Sequence, residues 1–276
     1  MKVGYTVWTW MKDQFGRDVP TDDAAEQFEQ ALKEISYLGY ETVENFNFLV
    51  PIYEDKPEEL DALLKKYKVE LVNVYHFLSG EYDKDIAFAE RICKFLKAHN
   101  AKLMNLECPH PATREDIPTE AQMQELCEVL NKIGKLCQSY GVTLCVHPHY
   151  GTYCETKPQL EYVDAHTDPD LVKYCLDTAH LIFGGMDAVE MFNQYGGRAA
   201  YVHLKDTLAD RTPPVDFPTR FARPLGEGIV DFPGVMKALE KHHYDGIICV
   251  ELDYQPICNF DSAQKSRAYI HSVLGL

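Results

Sequence analysis

The sequence lacks the features that mark membrane, exported and nucleic-acid-binding proteins. No apolar run approaches the roughly 18 uninterrupted residues of a membrane-spanning helix, and the first residues read as a strand rather than a signal segment. Positive charge is scarce, with 27 Lys and Arg against 43 Asp and Glu and a formal net charge of −16. We therefore expect neither a nucleic-acid nor an anionic-membrane partner, since both require a basic face.

Paired-cysteine motifs and a dinucleotide fingerprint are also missing. The nine cysteines include no C-x-x-C pair, and Cys145, Cys175 and Cys249 lie inside apolar runs. Such residues are typical of reduced, buried thiols in a cytoplasmic protein. Because no Gly-x-Gly-x-x-Gly follows the first strand, dinucleotide binding is disfavoured.

Eight short apolar runs alternate with amphipathic segments. The predicted strands are Val3–Val7, Glu41–Phe46, Glu70–Tyr75, Ala101–Leu106, Val142–His147, Val172–Asp177, Ala200–Leu204 and Gly246–Glu251. The clearest predicted helices begin near Thr21 or span Pro57–Tyr67, Asp83–His99 and Thr119–Tyr140, the last with a Thr119-x-x-Gln122 capping box. Strands that are apolar throughout indicate a parallel sheet covered on both faces. We predict a single TIM (β/α) barrel of eight parallel strands over residues 1–276, with an open doubly wound sheet as the alternative.

Each of the last four strands has a side chain that can bind metal at or next to its end. In chain order these are His147, Asp177, His203 and Glu251. Barrel active sites form at the carboxyl ends of the strands, so four such residues in succession predict one divalent-metal site. Two imidazoles and two carboxylates favour Mn²⁺, Co²⁺, Zn²⁺ or Fe²⁺ over Ca²⁺.

Several motifs resemble those of the xylose-isomerase-like barrels, which include sugar isomerases, ketose 3-epimerases, inosose dehydratases and endonuclease IV. The motifs are Asp177-Thr178-Ala179-His180, His203-Leu204-Lys205-Asp206, Leu225-Gly226-Glu227-Gly228-Ile229-Val230-Asp231-Phe232 and Val250-Glu251. The stretch His147-Pro148-His149-Tyr150-Gly151-Thr152 is most similar to the inosose (2-keto-myo-inositol) dehydratases. The resemblance runs from roughly residue 140 to the C-terminus.

The resemblance implies that Asp177, His203 and Glu251 bind the metal, with Mn²⁺ or Co²⁺ preferred. It also implies proton abstraction next to the carbonyl of a small polyhydroxylated substrate, a keto-sugar or keto-cyclitol. The ketose epimerases have a glutamate where this chain has His147, so we rank dehydration ahead of two-base epimerisation. The alternatives are a sugar isomerase or ketose 3-epimerase, and a sugar-binding barrel or subunit of a larger complex. A homo-oligomer also stays open.

The candidate bases for the α-proton are Glu251, His149 and Lys205, in that order. His180 either holds a substrate hydroxyl or bonds a nearby carbonyl as a structural residue. The further substrate-binding candidates are Thr152, His76 and Glu107. The long segment Asp206–Gly228, rich in proline and arginine, is either an active-site lid or a plain surface excursion.

Overall fold

A computed structural model describes residues 1–17, 19–113, 116–208 and 221–276. Its strands are β1 (Lys2–Thr6), β2 (Thr42–Phe46), β3 (Glu70–Phe77), β4 (Leu103–Glu107), β5 (Thr143–His147), β6 (Val172–Asp177), β7 (Ala199–Leu204), β8 (Asp206–Thr207), β9 (Ala222–Arg223) and β10 (Ile247–Val250). Eight of them form a closed barrel in the order β1-β10-β7-β6-β5-β4-β3-β2, with every neighbouring pair parallel. The predicted eight-stranded barrel is confirmed.

Helices follow most of the strands and cover the outside of the barrel. They are α1 (Ala24–Tyr37), α2 (Leu49–Tyr53), α3 (Pro57–Tyr67), α4 (Tyr82–Ala98), α5 (Glu120–Tyr140), α6 (Lys157–His166), α7 (Thr178–Phe183), α8 (Ala188–Tyr195), α9 (Phe232–Lys241) and α10 (Asn259–Tyr269). The predicted capping box is present, since the N–H of Thr119 donates to Oε1 of Gln122 at 2.8 Å and the N–H of Gln122 donates back to Oγ1 of Thr119. Within the described ranges, no helix has both the length and the apolar character that a bilayer crossing needs.

The barrel interior is built in layers, because alternate residues of a strand point to the same side. The four predicted metal-binding residues form the layer at the carboxyl ends of the strands, and all four are buried. Two residues earlier on the same strands, Cys145, Cys175, Tyr201 and Cys249 pack together as the layer beneath. The site therefore has a thiol-rich floor.

The segment after β7 is anchored by one buried carboxylate. β8 and β9 pair as an antiparallel hairpin, and Oδ2 of Asp206 accepts hydrogen bonds from the N–H groups of Gly226 at 2.9 Å and Gly228 at 2.8 Å. A Cβ at position 228 would lie 2.2 Å from Oδ1 of Asp206, so only glycine fits there. The central part of the long segment Asp206–Gly228, with Arg211 and Arg220, lies outside the described residues, so both alternatives for it stay predictions.

Candidate metal centre

The structure brings the four predicted metal-binding side chains to one point. One ligand atom from each of His147, Asp177, His203 and Glu251 lies within 4.8 Å of the other three. Among the described residues, four buried atoms in this group have no hydrogen-bond partner: Nε2 of His147, Oδ2 of Asp177, Nδ1 of His203 and Oε2 of Glu251. Buried polar atoms are nearly always satisfied. Four converging ligand atoms without a hydrogen bond fit a divalent cation, although Lys205 also forms ion pairs with Oε2 of Glu251 at 3.0 Å and Oδ2 of Asp177 at 3.7 Å.

The orientation of His203 suits metal binding. Its Nε2 lies 3.0 Å from Oε1 of Glu44, a carboxylate that also accepts hydrogen bonds from Asn105 and Thr6. Because a carboxylate only accepts, Nε2 carries a proton, and Nδ1 is the nitrogen that would bind a metal. Nδ1 faces Glu251, with 2.7 Å between Nδ1 and Oε2, so a metal bound there would replace the proton shared by these two atoms.

A tyrosine orients His147 in the same way. The hydroxyl of Tyr75 donates to Oε2 of Glu107 at 2.7 Å, and its oxygen lies 3.2 Å from Nδ1 of His147. Since the only hydroxyl proton of Tyr75 goes to Glu107, Nδ1 of His147 is the donor to the tyrosine oxygen. The lone pair of Nε2 then faces the centre.

The two carboxylate oxygens of Asp177 have different roles: one caps a helix, and the other faces the metal centre. Oδ1 accepts hydrogen bonds from the N–H groups of Ala179 and His180, both at 2.8 Å, and so caps helix α7. This bond fixes the rotation of the carboxylate and leaves Oδ2 directed at the centre.

The electrostatics of the centre favour a cation. Burial alone would lower the pKa of His203, but the carboxylates of Glu44 and Glu251 help to raise it well above its usual value. Nζ of Lys205 lies 3.0 Å from Oδ2 of Asp253 and 3.0 Å from Oε2 of Glu251. Burial opposes the charge of Lys205, but these carboxylates raise its pKa above the usual range. A lysine that stays protonated does not accept a proton, which argues against the predicted role of Lys205 as base.

A cavity of about 290 Å³ opens onto Glu251. Its lining residues are Trp8, Phe15, Phe46, Tyr75, Phe77, Glu107, His110, His149, Glu251 and Asp253. One wall is aromatic, and Trp8 stacks on Phe46 with ring centres 5.0 Å apart and planes at 12°. The other wall carries imidazoles and carboxylates. Such a cavity suits a ring that is apolar on its faces and polar at its edge.

His149 lines this cavity. Its Nδ1 lies 2.8 Å from the carbonyl oxygen of Tyr150, so Nδ1 is the protonated nitrogen and Nε2 is the acceptor. Burial is the main cause that lowers the pKa of His149, and the charges of His147 and Lys205 lower it further. Oε1 of Glu107 lies 3.6 Å from Nδ1. The imidazole is therefore neutral near pH 7, with a carboxylate beside it.

Two further predicted residues support His149 from behind rather than line the cavity. The ring of His180 lies 3.7 Å from that of His149, centre to centre, and its Nε2 lies 2.8 Å from Nζ of Lys205. The hydroxyl of Thr152 donates to the carbonyl oxygen of His149 at 2.8 Å and accepts from the N–H of Cys154. Both of these residues hold the loop after β5 in place.

His76 is not brought into the group, contrary to the expectation from its strand-end position. Strand β3 directs Tyr75 into the barrel, so its neighbour His76 points outward. There the side-chain amide of Asn47 lies 3.1 Å from Nδ1 of His76, and the imidazole packs against Phe88. His76 lines a separate cavity on the outside of the barrel.

Several residues of the site were not among the predicted site residues. They are Glu44, Tyr75, His110, Asp253 and the aromatic wall. Glu44 and Asp253 carry the same signal as the predicted residues, since both are acidic and lie at or just beyond a strand end. His110 follows β4 by three residues, and its Nε2 lies 2.8 Å from Oε1 of Glu107.

Comparison with known proteins agrees with this geometry. The family model for the xylose isomerase-like TIM barrel matches residues 30–272. An inosose dehydratase of Geobacillus kaustophilus is 28% identical over 98% of this chain and 93% of its own length. A probable 3-DHS dehydratase of Bacillus anthracis superposes with a TM-score of 0.77 at 18% identity, over 99% of this chain and 100% of that one. The IOLI protein, solved with a bound zinc atom, superposes with a TM-score of 0.76 at 17% identity, over 100% and 98% of the two chains.

Proposed function

This chain belongs to the xylose isomerase-like TIM barrel family, and we propose that it is a divalent-metal-dependent dehydratase of a neutral keto-cyclitol or keto-sugar. The observation that carries the proposal is the convergence of four unsatisfied, buried ligand atoms beside a cavity that His149 lines. Relatives named inosose dehydratase, similar over nearly their full length, support the same class of reaction.

The metal would be held by His147, Asp177, His203 and Glu251. This donor set suits Mn²⁺ or Co²⁺ best, with Zn²⁺ or Fe²⁺ as alternatives. When bound, such an ion supplies Lewis acidity to the substrate carbonyl and stabilises the negative charge that develops on its oxygen.

His149 is the base that the geometry favours. Its Nε2 has the lone pair, and the imidazole is neutral near pH 7 because burial lowers its pKa. After Nε2 takes the α-proton, Oε1 of Glu107, 3.6 Å from Nδ1, stabilises the imidazolium. Glu251 is the second candidate, because its Oε2 lies among the metal-facing atoms.

Asp253 is positioned to return a proton to the leaving hydroxyl. It lines the cavity, and burial raises the pKa of its carboxyl in spite of the nearby Lys205. In the proposed reaction this carboxyl supplies the proton with which the hydroxyl leaves as water. Lys205, at 3.0 Å, stabilises the carboxylate that remains.

The cavity selects an uncharged ring. Among the described residues, its lining contains no lysine or arginine and includes the carboxyl groups of Glu107, Glu251 and Asp253. A phosphate or carboxylate on the substrate would be repelled there, whereas the faces of a carbocycle or pyranose pack against Trp8 and Phe46. We infer that the substrate is a neutral cyclic ketone. The proposal includes a cytoplasmic location, which nine free cysteines favour.

The test combines metal loading with proton exchange. The protein, loaded with Mn²⁺ or Co²⁺, is incubated in deuterated buffer with inososes, free ketoses and ketose phosphates, and each reaction is followed by NMR. We expect loss of the α-proton signal and of water from a neutral cyclic ketone, and no reaction of the phosphates. Exchange without loss of water would instead support an isomerase or epimerase. Metal binding without exchange on any substrate would refute the enzymatic role.

A further inference from the structure

The layer of residues beneath the metal centre contains a thiol that the proposed reaction does not use. Cys175 lies two residues before Asp177 on β6, points to the same side of the strand and is fully buried. The thiols of Cys145 and Cys249 belong to the same layer. A metal centre with carboxylates above it and thiols below it offers two chemically different sides.

The two histidines of the centre also lie near Cys175. One ligand atom from each of His147 and His203 lies within 4.8 Å of the sulfur of Cys175, and these three atoms form a second group of metal-ligand spacing. That group contains no carboxylate, whereas the first contains two. One sulfur and two imidazole nitrogens are a soft donor set, which favours Zn²⁺, Cd²⁺ or Cu⁺ over Mn²⁺ and Mg²⁺.

We propose that His147, His203 and Cys175 form a second, deeper metal position that takes thiophilic divalent ions such as Cd²⁺ and Zn²⁺. The thiol binds as the thiolate and releases its proton to solvent. The position rests on the same two histidines as the proposed centre but not on the reaction assigned to it. Because the histidines are shared, the two positions exclude each other.

The deeper position separates the ion from the substrate. An ion bound to Cys175 is not bound by Asp177 and Glu251. The cavity opens at Glu251 rather than at the thiol layer, so this ion does not reach the substrate. The identity of the metal therefore decides its position, with hard ions at the carboxylates and soft ions at the thiol. Cd²⁺ bound at the thiol therefore inhibits, because it displaces the hard ion from the shared histidines.

Cadmium titration of the metal-free protein tests this position directly. We expect the thiolate-to-cadmium charge-transfer absorption to appear and saturate at stoichiometric Cd²⁺ in the wild type. The Cys145→Ser variant is the matched control, because Cys145 is equally buried in the same layer but lies outside the ligand group. We expect Cys145→Ser to keep the absorption and Cys175→Ser to lose it. We also expect Cys175→Ser to bind Cd²⁺ more than about tenfold more weakly, because losing a direct ligand costs more affinity than losing an outer-shell contact.

A competition experiment tests whether the histidines are shared. Adding Cd²⁺ to the Mn²⁺-loaded wild type should release stoichiometric Mn²⁺, seen as the aqueous signal in electron paramagnetic resonance. Cadmium NMR of the wild type gives a sulfur-ligated shift without any variant, so the result does not depend on the folding of Cys175→Ser. Mn²⁺ binding without a thiolate signal on Cd²⁺ addition would overturn the deeper position and leave the proposed centre intact. Absence of binding by either ion would overturn both.

Discussion

Oε1 of Glu44 lies 3.0 Å from Nε2 of His203, on the opposite edge of the ring from the nitrogen that faces Glu251. The carboxylate fixes the tautomer and raises the basicity of the imidazole. We expect Glu44→Gln to lower Mn²⁺ affinity about 10–100-fold, because the glutamine lacks the negative charge. Calorimetric titration measures the effect, and Glu41→Gln, exposed just before β2, is the control. Equal affinities in the two variants would contradict the role of Glu44.

Tyr75 connects the metal centre to Glu107 through one hydroxyl. Tyr75→Phe removes the acceptor of His147 Nδ1 and a donor to Glu107, so we expect about tenfold weaker metal binding from the lost outer-shell contact. The control is Tyr53→Phe, since the buried hydroxyl of Tyr53 has no hydrogen-bond partner among the described residues. Metal content after dialysis at limiting metal separates the two. Full occupancy of Tyr75→Phe would show that the hydroxyl does not orient His147.

His149 and Glu251 are distinguished by turnover at saturating metal. We expect His149→Gln to lower kcat about 10²–10⁴-fold, the usual contribution of a general base, while metal content stays at the wild-type level because His149 is not in the ligand group. His166→Gln, on the exposed end of α6, provides the matched histidine control. A kcat close to that of the wild type would transfer the base role to Glu251.

Asp206 holds together the segment between β7 and α9. Its carboxylate accepts from the N–H groups of Thr207, Gly226, Gly228 and Val230. In Asp206→Asn an amide N–H₂ must face backbone N–H groups, so we expect a loss of roughly 3 kcal/mol in the free energy of unfolding. Urea denaturation measures it, with the exposed Asp245→Asn as control. A loss no larger than that of the control would mean that the hydrogen bonds to Asp206 contribute little to stability.

His76 makes stability depend on pH. Burial lowers its pKa from 6.5 to about 4, so the folded state keeps it neutral while the unfolded chain takes up a proton below pH 6.5. The free energy of unfolding is therefore unaffected by His76 above pH 6.5. It decreases as the pH falls towards 4, by up to roughly 3 kcal/mol, because protonation of His76 favours the unfolded chain. We expect His76→Gln to flatten the decline of unfolding free energy over this range relative to wild type. The exposed His271→Gln variant should keep the wild-type slope.

The barrel and the four candidate metal ligands were predictable from sequence for a geometric reason. Parallel strands in a closed barrel all end at the same rim, so residues that end successive strands must meet. His147, Asp177, His203 and Glu251 each end or directly follow an apolar run, which makes them visible without coordinates. His149 was also predictable from the sequence, because it lies two residues beyond His147.

Only the tertiary structure decided which polar residues face the interior and how each is protonated. β3 is buried on both faces, so its sequence has no alternation that would show that Tyr75 points inward and His76 outward. The partners of His203 and His147 lie 159 and 72 residues away along the chain, at Glu44 and Tyr75. Tautomer, charge and pKa depend on such contacts. The sequence determined the residues available at the rim, and closure of the barrel determined their chemical states, because electrostatic interactions and hydrogen bonds depend on distance in space.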